Sequence, residues 1–180
     1  KEGNVYTTKS KISKMKMDVM QGGMQMSYDS TTKDEELDQA GKMMKAQVSP
    51  MLSAVITSKV NNLSKNLETK VEPNIPNVEQ FSNQSVSYPE KAVKVGDSWT
   101  EEKSIQGMDT STEYKVTEIT KTSVLVAVST KISGAGTGAG TGTLEIDKKS
   151  GTPLKSLMKT TINAGGQEMK VDVEMTMTKK

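Results

Sequence analysis

The chain has no cysteine, no histidine and no arginine. Without cysteine there is neither a disulfide frame nor a thiol nucleophile. Without histidine the usual general base, the usual triad partner and the commonest zinc ligand are missing. All basic residues are lysine, and they balance the acids to a net charge of only +2. Lacking arginine's bidentate fork, and with aromatics at 3%, the chain is not expected to bind nucleic acid. Hydrophobic residues make up 33%, and no apolar run approaches the ~20 residues of a membrane-spanning helix. So thin a supply of core formers suits one sheet curved over a few elements better than a thick two-sided core.

What the chain does have is alternation. In "GGQEMKVDVEMTMTKK", Met169, Val171, Val173, Met175 and Met177 occupy every second position with polar residues between them, the pattern of a strand with one apolar face. "KMKMDVMQGGMQMSY" repeats it: Met15, Met17 and Val19, then Gly22 and Gly23, then Met24, Met26 and Tyr28 predict a hairpin whose paired glycines supply a tight turn. From Lys94 onward the pattern is all strand. The connections there are read at Gly107 to Asp109, at Lys121 and Thr122, at a glycine tract, at "KKSG" and at "AGGQ", which implies an antiparallel meander.

One segment changes period. In "TTKDEELDQAGKMMKAQV", Leu37, Ala40, Met44 and Val48 form a helical stripe, with Asp34, Glu35 and Glu36 at the expected N-terminus and Pro50 as the expected stop. "MLSAVITSKV" and "LSKNLETKV" read as two strands, and "EPNIPNV" as a connector followed by a short helical turn near Val78 to Phe81. The expected fold is α+β: a curved antiparallel sheet, a half-barrel, packed around one or two helices. Residues 1–180 form a single domain on this reading, with room for two similar halves, 1–72 and 88–180, joined by the proline-containing connector.

Candidate chemistry is sparse. The run "GAGTGAGTGT" lacks the lysine of a phosphate loop and the strand-to-helix setting of a dinucleotide site, so it reads as a flexible loop or a side-chain-poor strand, or as a place where another backbone or a ligand comes close. Glu101 and Glu102 are neighbours and would point to opposite faces of a strand, which prevents joint acid–base work. The acids between Asp29 and Asp38 lack the spacing of a calcium loop. No catalytic residue, metal site or cofactor is expected, and the chain is read as no enzyme. Trp99, the only tryptophan, is either a core anchor or a residue at the mouth of a pocket.

The methionines, 13 in all, are the strongest lead. They are unbranched and polarizable, so a face built from them adapts to apolar ligands of varied shape, although it also fills a core that is short of aromatics. The expected groove is lined by Met15, Met17, Met24, Met26, Met169, Val171, Val173, Met175 and Met177, with Leu37 and Met44 as a lid and Trp99 near the mouth.

"SYPEKAVKVGDSWTEE" (87–102) and "LEIDKKSGTPLKSLMKTTI" (144–162) resemble a group of secreted bacterial proteins of unknown function, similar in expected architecture to the lipoprotein-localisation carriers. The resemblance implies a half-open barrel that holds acyl chains on an apolar concave face. It also implies an extracytoplasmic location, in the periplasm or at the cell surface, with a lipid anchor upstream of Lys1 as one arrangement. The expected partner is therefore a lipid or another apolar small molecule, with a structural or protein-interaction module of the cell envelope, its methionine-rich core closed, as the alternative.

Overall fold

The computed structural model describes residues 5–21, 23–61, 63, 65–74, 86, 88–105 and 107–179. Ten strands form one antiparallel sheet: β1 (Tyr6–Gln21), β2 (Met24–Asp29), β3 (Val55–Val60), β4 (Asn66–Glu72), β5 (Ser98–Ile105), β6 (Met108–Ile119), β7 (Ser123–Gly134), β8 (Thr137–Asp147), β9 (Pro153–Ala164) and β10 (Gln167–Lys179). The order across the sheet is β4-β3-β1-β10-β9-β8-β7-β6-β5, and β2 also pairs with β1. The expected meander is therefore present from β5 to β10, and it continues into β1 because β10 pairs along nearly the whole length of that strand.

The long first strand serves two partners on its other edge. Tyr6 to Ser10 pair with β3, and Lys16 to Gln21 pair with β2. Between them Ser30 substitutes for a strand: its N–H donates to the Met15 carbonyl (2.9 Å), and its Oγ accepts from the Met15 N–H (3.0 Å). A bulge at Ser13 shifts the register between Ile12 and Lys14. As a result Ile12 and Met15, three positions apart, bury on the same face.

The α+β expectation is overturned. Among the described residues there is one α-helix, α1 (Gln39–Ser53), preceded by a three-residue 3-10 turn at Asp34–Glu36. One helical stripe covers a patch of a ten-stranded sheet, too little for a helical layer, and the fold is mainly antiparallel β. The helical turn expected near Val78 to Phe81 lies outside the described residues. The helix also begins later than its acidic run suggests. Its N-cap is Asp38, whose Oδ1 accepts from the Gly41 N–H at 2.7 Å, while Asp34 pairs with Lys45 across the helix surface. It runs through Pro50 to Ser53, so Met51 to Ser53 are helical and the following strand starts at Val55. Asp38→Ala removes the cap and is expected to lower stability by about 1 kcal/mol, read as an earlier thermal midpoint by circular dichroism.

The glycine tract holds the β7–β8 connection at its start and is a side-chain-poor strand for the rest. The break falls at Ala135 and Gly136, and Thr137 to Gly142 form the first half of β8. Gly138, Gly140 and Gly142 stand on the face that carries the core. A Cβ built on Gly138 would run into the Thr161 carbonyl oxygen, and one on Gly142 into the Leu157 carbonyl oxygen and the Met158 sulfur. In a flat sheet a Cβ stands clear of the neighbouring strand, so β9 must bend over β8 toward this inner face.

A second observation shows the same curl. Val60 and Asn61 at the end of β3 share a hollow of about 10 Å³, room for about one water, with Ser150, Gly151, Thr152 and Pro153 of the β8–β9 turn. Four places separate β3 from β8 in the sheet, ~19 Å if it were flat. Tyr88 lines the same hollow and donates its backbone N–H to Leu63 at 2.8 Å, bridging the gap between the two sides.

The outer face is charged. Glu174 lies between Lys14 (3.5 Å) and Lys155 (3.0 Å), and Lys159 reaches Asp172 (3.7 Å) across neighbouring strands. The hydrogen bond from Lys155 lowers the Glu174 pKa below the ordinary carboxylate value. Such exposed pairs contribute little stability each, but they keep this face wet and fix which side of the sheet faces inward.

Candidate functional site on the inner face

Strand register places side chains on the inner face in rows that run from β5 to β1. The deepest complete row is Trp99, Tyr114, Val128, Gly142, Met158, Val173, Met15. The next is Glu101, Thr112, Thr130, Gly140, Thr160, Val171, Met17. The last is Lys103, Thr110, Ile132, Gly138, Ile162, Met169, Val19. Burial falls off along this series. Met15, Val173, Tyr114 and Val128 of the first row are buried, whereas every member of the third is half-exposed.

Two apolar clusters close the deep end. In one, Met44 and Val48 of α1 sit with Ile12, Met15, Tyr28, Val171, Val173 and Met175. In the other, Val86 packs with Tyr114, Val126, Val128, Leu144 and Ile146. The predicted groove residues divide accordingly. Met15 (1% exposed), Met44, Val171, Val173 and Met175 (4%) are sealed beneath or within the helix contact. Met17, Met26, Leu37 and Met169 form the half-buried margin of the same cluster. Met24 lies at the hairpin tip with 72% of its surface exposed. The side chain of Met177 falls outside the described residues, although its backbone pairs with Ser10. Trp99 belongs to the second cluster, where its ring stacks on Tyr114 at 5.3 Å and 18°. Its indole N–H is buried with no acceptor among the described residues.

The polar half of the inner face escapes a sequence reading that follows only methionine. The Oγ atoms of Thr112 and Thr130 lie 3.0 Å apart, and the Thr110 hydroxyl donates to the Lys103 carbonyl at 3.2 Å. Glu101 pairs with Lys103 at 3.3 Å, both side chains largely covered at 17% and 29% exposure. Burial, and after it the neighbouring Glu101 carboxylate, push the Tyr114 phenol well above its ordinary pKa. Glu101 thus sits inside and Glu102 outside, which the two-residue strand period foretells once the inner phase is fixed by Trp99.

The open end of the inner face therefore has two unlike walls. On β1, β2 and β10 it is apolar, with Met17, Val19, Met26 and Met169, while β9 and β7 each bring one threonine and one isoleucine, Thr160 and Ile162 on β9 and Thr130 and Ile132 on β7. On β6 and β5 it carries the hydroxyls of Thr110 and Thr112 and one ion pair, and the mixed strands β9 and β7 with the glycines of β8 lie between the two walls. Among the described residues no group of three or more Asp or Glu side chains is placed to hold a metal ion, and no helix is long and apolar enough to cross a membrane.

The stretches that carry the sequence resemblance are turn devices. In "KVGD" the Asp97 carboxylate accepts from the Lys94 N–H at 3.0 Å, and Gly96 takes a φ of +93°, open to glycine and strained for other residues. In "DKKSG" the Asp147 carboxylate accepts from the Ser150 N–H at 2.7 Å, and the Gly151 N–H donates to the Asp147 carbonyl at 2.8 Å. Both lie within residues 61–180, which match Family of unknown function (DUF6263). No curated protein and no solved structure matches the chain.

Proposed function

We propose, for a chain that belongs to this family of unknown function, a non-enzymatic role outside the cytoplasm: binding a lipid or other hydrophobic ligand on the inner face of the curved sheet. The observation that carries the reading is the apolar wall of the open end, where Met17, Val19, Met26 and Met169 continue the sealed cluster but keep part of their surface free. A ligand laid there would exchange water for thioether and branched side chains, gaining about 25 cal/mol per Å² of apolar surface covered. The periplasmic or cell-surface setting rests on the sequence resemblance to secreted proteins.

The rival is a structural or interaction module of the envelope with a closed methionine-rich core. What supports it is the burial of Met15 and Met175 in one cluster with Met44 and Val48 of α1. An uncharged fluorescent naphthylamine separates the two. Saturable binding to the wild type, lost in Met169→Asp with an unchanged circular dichroism spectrum, is the expected result. A wild-type protein that gives no saturable signal hands the case to the closed module.

A further inference from the structure

We propose that the ligand is a neutral single-chain amphiphile whose hydroxylated head lies against Thr112, Thr130 and the Glu101–Lys103 pair while its chain runs over Gly140 to Met169; this rests on the binding role proposed above. Three features lead there. The two ends of the inner face differ in polarity, apolar on β10, β1 and β2 and polar on β6 and β5 with β9, β8 and β7 between them, so a ligand uniform along its length would waste one of them. The span from Thr130 on β7 to Met169 on β10 is three strand places, ~14 Å along the sheet, suited to a chain of roughly ten carbons. Finally, the polar wall is balanced. Lys103 already pairs with Glu101, and both are largely covered.

That balance selects against a charged head. A carboxylate seated at Lys103 would face Glu101 across a few ångströms in a partly desolvated site, whereas a glycerol or sugar head offers both donors and acceptors to two threonine hydroxyls and an ion pair. The class is therefore an acylglycerol or glycolipid with one chain, and not a free fatty acid.

The test compares 1-decanoylglycerol with decanoate, each below its micelle concentration at pH 7, followed by calorimetry and by the fluorescence of Trp99, one residue pair from Glu101 on the same face. Decanoylglycerol should saturate, with decanoate about tenfold weaker. Glu101→Gln should close that gap to within about twofold, by strengthening decanoate. Lys103→Met, which leaves the Glu101 charge unopposed, should widen it. Decanoate binding as tightly as decanoylglycerol, or a gap unmoved by both variants, overturns the head-group assignment. If neither amphiphile binds but the naphthylamine does, the ligand class is wrong and the apolar site stands; if the naphthylamine fails as well, the binding role itself falls.

Discussion

Gly142→Val is expected to cost about 3 kcal/mol of stability, seen as a large drop in the urea midpoint at an unchanged slope. The added Cβ would collide with the Leu157 carbonyl and the Met158 sulfur, and a backbone oxygen inside a ladder cannot step aside as a side-chain tip can. Gly140→Ala is the internal comparison. Its new methyl would lie 3.0 Å from the Thr160 hydroxyl, which can rotate away, and 3.3 Å from the Lys159 carbonyl oxygen, tight but without the overlap met at Gly142, so the loss should stay at about 1 kcal/mol. Equal midpoints for Gly142→Val and the wild type would mean that β9 does not fold over β8, and the curved inner face would go with it.

Met175→Asp should destabilise by at least about 4 kcal/mol, because the position is 4% exposed, opposite Ile12 in the apolar cluster that Met44 and Val48 of α1 complete, and a carboxylate there would be desolvated among apolar side chains. Met24→Asp, at 72% exposure, should move the midpoint by no more than a few tenths of a kcal/mol. The contrast matters for any ligand experiment: loss of binding in the Met175 variant would report unfolding, which is why Met169 is the informative site. A Met175→Asp protein that melts with the wild type would show that the helix does not seal the terminal strands.

Much of this architecture is legible from periodicity. The inner phases of β10 and of the β1–β2 hairpin follow directly from alternate methionine and valine, and the register confirms that both phases face the same way. The helix is legible through Met44 and Val48, both buried. Its end is not, because Pro50 costs one hydrogen bond in a segment whose packing holds it to Ser53. One amphipathic stripe, given the weight of a layer, overstates the helical share of the fold. The glycine tract misleads for a different reason. An inner residue with no side chain gives no apolar signal, yet "TGAGTGT" is itself a period-two pattern with every inner position emptied. Bulges hide more. Ser13 reverses the phase of β1 and Thr117 that of β6, so a reading that keeps one phase puts Ile12 or Ile119 on the wrong side. The polar wall of the site could have been found by projecting Trp99 forward in steps of two to Glu101 and Lys103.

The neighbour relation of β1 and β10 sets an order of assembly. Strands β5 to β10 can add one after another through short hairpins, each step closing only a few residues. Seating β1 beside β10, by contrast, matches Thr8 with Lys179, and so closes a loop of roughly 170 residues, which costs about 2–3 kcal/mol more chain entropy than a hairpin of about ten residues and slows the step. Until that closure the edge of β10 that β1 occupies has its backbone groups unpaired, and the half-assembled molecule would present a sticky flank to other chains.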